Sequence, residues 1–149
     1  MFLRLLFIIL ARKINEFTVA NTWKVIAVGL NYKDHAAESG VPLPETPVLF
    51  TKFTTSLIPN GGEIIRPKGV TQLDWEAEFA VVIGKRASRV SEADALQYVS
   101  GYTCMNDVTD REAQSKDGQW VRSKSYDTFG PIGPVVIPAS DIQIHTFEN

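Results

Sequence analysis

Polar and apolar positions alternate with period two through "LDWEAEFAVVIGK", residues 73–85. That is the side-chain period of a strand, so Asp74, Glu76 and Glu78 share one face and Trp75, Ala77, Phe79, Val81 and Ile83 the other. Further short apolar runs predict more strands. "KVIAVGLN" (24–31) reads as a buried strand, and "VLFTKF" (48–53) and "EIIRP" (63–67) as short strands around the turn "PNGG". "YTCMND" (102–107) is another, and the turn-rich "YDTFGPIGPVVIP" (126–138) ends in one. Helical signals are fewer. "YKDHAAESG" (32–40) reads as a helical turn closed by Gly40. "SEADALQYVSG" (91–101) reads as a helix with Ser91 as N-cap and Gly101 as stop, and "TDREAQSK" (109–116) as one opened by a Thr-x-x-Glu capping box. The prolines of "VPLPETP" (41–47) predict a loop. Many short strands with few helices give a β-rich mixed α+β fold.

The apolar opening "MFLRLLFIILARK" is about half the length that spans a bilayer and lacks a small-residue cleavage site. It reads as a strand or helix packed on the core, ahead of a targeting segment. Residues 1–24 are thus an apolar segment and lead-in, and 25–149 the domain proper. With 149 residues, 44% of them hydrophobic and 21% charged, the composition is that of one soluble globular domain.

Charge and cysteine content narrow the partners. Fifteen basic and seventeen acidic residues leave a net charge of −2, with no basic run to follow a nucleic-acid backbone, so neither nucleic acid nor membrane is expected as a partner. No Gly-rich phosphate loop follows a strand. Cys104 has no intrachain partner, and with His35 and His145 it makes no zinc spacing. A reducing compartment is expected, the cytoplasm first and the mitochondrion second.

Three groupings of residues could carry chemistry. The acids of 73–85 are either a solvated strand face or an oxygen-rich site for a hard cation, which would relieve their mutual repulsion. His35 and Glu38 lie three apart, so the carboxylate could polarise the imidazole, although a surface His beside a solvated Glu has the same spacing. Asp107, Arg111 and Gln114 would share a face of a helix that began near Asp107. They could hold a metal and an anion, or be a capped helix with an internal ion pair.

Taken in order, "VGLNYKDHAAESG", "LDWEAEFAVVIGK", "GYTCMNDVTDREAQ" and "KSYDTFGPIGP" resemble the fumarylacetoacetate hydrolase family from about Val25 to about Ile142. The resemblance implies a mixed β-sandwich roll, here incomplete, of the catalytic C-terminal-domain type. It implies Glu76, Glu78 and Asp107 as ligands of a divalent ion, magnesium or manganese, with calcium a further candidate. His35 and Glu38 match a catalytic pair that activates water or relays protons. Arg111, Gln114 and Lys124 match positions that contact substrate or developing negative charge, with Lys124 also counted as catalytic. Asp74 matches no ligand position. The implied substrates are 2-oxo or β-diketo acids, which chelate a metal, so that C–C hydrolysis, decarboxylation and isomerisation can share a metal-stabilised enolate. A homodimer is implied for the full-length protein. Relatives continue for about a hundred further residues, including a Thr-Gly-Thr-Pro segment, beyond where this sequence stops. The alternative expectation is therefore a catalytically inactive fragment that binds metal or pairs with an intact subunit.

Overall fold

The computed structural model describes residues 5–11, 19, 22–31, 40 and 42–143. Among them are the strands β1 (Leu5–Ala11), β2 (Thr22–Gly29), β3 (Val48–Lys52), β4 (Leu57–Pro59), β5 (Leu73–Asp74), β6 (Ala77–Ile83), β7 (Val99–Asn106), β8 (Thr109–Asp110) and β9 (Gly130–Pro138). Helix among the described residues is limited to α1 (Arg111–Asp117), α2 (Val121–Lys124) and 3-10 turns, in keeping with the strand-rich mixed α+β fold that the short apolar runs predict. No helix among the described residues is long and apolar enough to cross a membrane.

Seven strands form one mixed sheet in the order β3-β2-β1-β6-β7-β9-β4, and β5 pairs with β8 in a separate ribbon. The apolar opening run supplies β1, antiparallel to β2 and parallel to β6. One side of the sheet carries the core: Val25 and Ala27 of β2, Leu57 of β4, Ala80 and Val82 of β6, Met105 of β7 and Ile132 of β9. Strand register decides what else lies on that side. Lys52 is directly opposite Val25, and Glu78 directly opposite Met105, so both side chains emerge on the core face.

The run 73–85 is not one strand. It breaks between β5 and β6 because the Trp75 N–H donates to Asp74 Oδ1 at 2.8 Å and the Glu76 N–H to Asn106 Oδ1 at 3.2 Å, outside any ladder. Its buried residues also differ from the alternation. Ala80 and Val82, in step with Glu78, are fully buried, whereas Trp75 is 70% exposed. Glu78 therefore lies on the core side of β6, whereas Asp74 belongs to the separate β5–β8 ribbon and Glu76 to the link between the two strands.

"EIIRP" forms no strand. Ile64 and Ile65 are exposed, and the Ile65 N–H donates to Thr128 Oγ1 at 2.8 Å, a side-chain partner that stands in for a ladder bond. The strand on the other side of the turn, β4, instead runs parallel to β9. Ser91 caps Asp94 as its spacing predicts, but the helix is a 3-10 helix, Glu92–Tyr98, with no buried residue. Gly101 does not stop it. Gly101 lies inside β7, opposite Val82 and Pro138. In α1 the cap is Asp110, whose side chain accepts from the Ala113 N–H, and not Thr109. The helical turn expected at 32–40 falls almost wholly outside the described residues.

Candidate active site

Two segments that bear carboxylates are tied together by backbone. The Asp107 N–H donates to the Glu76 carbonyl at 2.9 Å, the Arg111 N–H donates to the Gln72 carbonyl at 2.9 Å, and β5 pairs with β8 between them. Glu76 and Asp107 are thereby neighbours, although 31 positions separate them in the sequence. The short helix α2 brings Lys124 to the same place, its N–H bonded to the Trp120 carbonyl. Trp120 packs edge-on against Phe50, with centroids 5.4 Å apart, and its ring lies so close over Gly29 that a Cβ there would collide with it.

The side chains form a chain of alternating charge. Lys52 Nζ meets Asp107 Oδ1 at 2.7 Å, and Asp107 Oδ2 meets Lys124 Nζ at 2.7 Å. Lys124 Nζ reaches Glu76 Oε2 at 3.0 Å, and Glu76 Oε1 meets Arg111 Nη2 at 2.6 Å. Arg111 closes the series on Asp74 Oδ2 at 2.8 Å. Side-chain exposure rises along it, from 0% at Lys52, 1% at Asp107 and 2% at Lys124 to 15% at Glu76, 30% at Arg111 and 45% at Asp74. Lys52 therefore stands at the enclosed end of the series, and exposure to solvent begins at Glu76 and increases through Arg111 to Asp74.

Neutral groups complete the set. Lys124 Nζ donates to Thr109 Oγ1 at 2.8 Å and lies 5.1 Å from the centroid of the Phe50 ring, a cation–π contact. Arg111 Nη1 donates to Gln114 Oε1 at 2.8 Å, so the guanidinium is held by an amide and two carboxylates. Partial burial raises the Asp74 carboxyl, but the Arg111 and Trp75 hydrogen bonds outweigh this and hold it below its ordinary 3.8. Burial lowers the Lys52 ammonium and Asp107 opposes that shift, with the net direction downward.

Of the sequence-predicted site residues, Glu76, Asp107, Arg111, Gln114 and Lys124 come together here. Asp107 precedes α1 and does not share its face, and Arg111 pairs with Asp74 and Glu76 in place of Asp107. Glu78 is on the core side of β6, but among the described residues no three His, Cys, Asp or Glu side chains gather as a metal-holding group. His35 and Glu38 lie outside the described residues. Lys52 and Thr109 are the members that sequence reasoning missed. A signal for Lys52 exists: it is in step with Val48 and Phe50, on the inward side of a short apolar strand.

The carboxylates fit a hard cation on one direct observation. Glu76 Oε2 and Asp107 Oδ2 already converge on one cationic centre, the Lys124 ammonium, at 3.0 and 2.7 Å. Two surface grooves, of about 460 and 240 Å³, lie elsewhere, the smaller lined by Trp75 and Asn106 next to the Glu76 backbone.

A strand-rich scaffold thus brings paired carboxylates beside a buried lysine and a clamped arginine. Residues 24–148 match the model of the fumarylacetoacetate (FAA) hydrolase C-terminal domain, and the chain belongs to that family. An uncharacterized protein of Archaeoglobus fulgidus is 51% identical over 118 residues, 79% of this chain and 47% of that protein. The chain spans about half the length of the curated relatives it matches. Among solved structures, a 5-carboxymethyl-2-hydroxymuconate delta-isomerase from Mycobacterium smegmatis is 45% identical with a TM-score of 0.69, covering 77% of this chain and 46% of its own. A fumarylacetoacetate hydrolase from Exiguobacterium antarcticum is 38% identical with a TM-score of 0.72, covering 80% and 44%.

Proposed function

We propose that this chain carries the site of a divalent-metal-dependent enzyme acting on small 2-oxo or β-diketo acids, by C–C hydrolysis, decarboxylation or isomerisation. The observation that carries the reading is the convergence of Glu76 Oε2 and Asp107 Oδ2 on one cation. Family members named as a hydrolase and as an isomerase support the hydrolysis and isomerisation outcomes. Glu76, Glu78 and Asp107 would hold magnesium or manganese, which supplies Lewis-acid stabilisation of negative charge on a keto oxygen.

The residues of the chain have separate tasks in this reading. Arg111, braced by Gln114 and Asp74, presents a fixed guanidinium to a substrate carboxylate. Lys124, screened from water and flanked by Thr109, places an ammonium where an enolate oxygen gains charge. His35 and Glu38 form the acid–base pair that moves the proton. A homodimer is the assembly proposed for the full-length protein.

The test pairs binding with turnover in the chain and in its Glu76→Gln and Asp107→Asn variants. Manganese at about a hundred times its Kd should stabilise the unmodified chain by about 2.7 kcal/mol in thermal unfolding. It should also support conversion of an acylpyruvate or oxaloacetate. Both variants should lose both effects, and equal metal stabilisation in all three proteins contradicts the reading.

A further inference from the structure

Lys52 has no task in the chemistry above, yet it is the most enclosed member of the charged series, with none of its side chain exposed. Its ammonium is fully engaged. It donates to Asp107 Oδ1 at 2.7 Å, to the Val108 carbonyl at 3.2 Å, and to the Lys124 carbonyl. Those acceptors come from two different parts of the chain, the link between β7 and β8 and the end of α2. A buried ammonium is costly to desolvate, and an apolar side chain of the same length would fill the volume without that cost. What the ammonium adds is orientation. It occupies one Asp107 oxygen and so leaves Oδ2 as the one that faces Glu76. It also holds the backbone from which Lys124 projects.

We propose that Lys52 is a positioning residue of the cation site, fixing Asp107 to present Oδ2 alone and setting the Lys124 backbone against it. The proposal rests on the metal-site reading above. The sign of the effect separates positioning from simple charge. Removing a positive charge beside a ligand carboxylate should tighten divalent-cation binding if Coulomb attraction alone is at work. Loss of orientation should weaken it.

The experiment measures manganese affinity by calorimetric titration on the full chain and on K52M, D107N and V82A. Val82 is a fully buried core residue of β6 outside the charged series, so V82A reports on destabilisation alone. The expected result is at least tenfold weaker binding in K52M, near-native affinity in V82A, and no measurable binding in D107N. Native or tighter affinity in K52M overturns the positioning role while leaving the metal site intact. Absent binding by the unmodified chain, or unchanged binding by D107N, overturns the metal site itself and the role of Lys52 with it. Infrared difference spectra of the manganese-loaded chain provide the same test without any Lys52 variant, should K52M not fold. The aspartate carboxylate bands, assigned by carboxyl-13C aspartate labelling of the unmodified chain, should show the wide splitting of one-oxygen ligation, and the narrow splitting of two-oxygen chelation overturns the proposal.

Discussion

At the residue scale, the acids and cations of the site were legible because carboxylate, guanidinium and ammonium groups at family spacing are uncommon in company. Lys52 was not legible, because a lysine in a short strand becomes a buried partner only through acceptors 55 to 72 positions away. Asp74 illustrates how position refines a role. The sequence resemblance gives it no ligand position, and in the fold it holds the outer side of Arg111 at 2.8 Å. Its folded carboxyl lies below 3.8, so the stabilisation it gives is complete above that unfolded value and is lost as pH falls through the lower folded one. Acid titration of the unfolding free energy should therefore be shallower on the acid side in Asp74→Asn than in the unmodified chain. Coincident acid limbs would show that the Asp74–Arg111 contact contributes nothing to stability.

At the element scale, hydrophobic pattern located β2, β3, β7 and β9, and misjudged the elements whose limits depend on partners elsewhere. The strand carrying the acids breaks where Asp74 and Asn106 side chains capture two backbone N–H groups, a competition that alternation does not register. The capping box of "TDREAQSK" marked the right helix one residue early. Thr109 is turned to the Asp107 carbonyl and to Lys124, which leaves the cap to Asp110. Asp110→Ala should accordingly cost about 1 kcal/mol in urea unfolding, within the usual range for loss of an N-cap, without altering manganese affinity. A cost near zero would return the cap to Thr109.

At the scale of the whole molecule, four motifs in order were sufficient for the family, whereas the strand order was not readable. β1 inserts between β2 and β6, and β4 runs parallel to β9, pairings between segments distant in the sequence that no local signal specifies. This order has a functional consequence. It puts Lys52, Glu78 and the apolar core on one side of a single sheet, so the buried end of the charged series is held by the same packing that stabilises the fold. The reachable end, at Glu76 and Arg111, is where a cation and an acid substrate would meet the chain.

The central claim, that these carboxylates form a divalent-cation site, is tested most directly by anomalous diffraction from crystals grown with manganese. The account predicts one manganese peak in direct contact with the carboxylate oxygens of Glu76, Glu78 and Asp107, with the Lys124 ammonium moved out from between Glu76 and Asp107. Density showing Lys124 still bridging those two carboxylates, with no manganese between them, would contradict it.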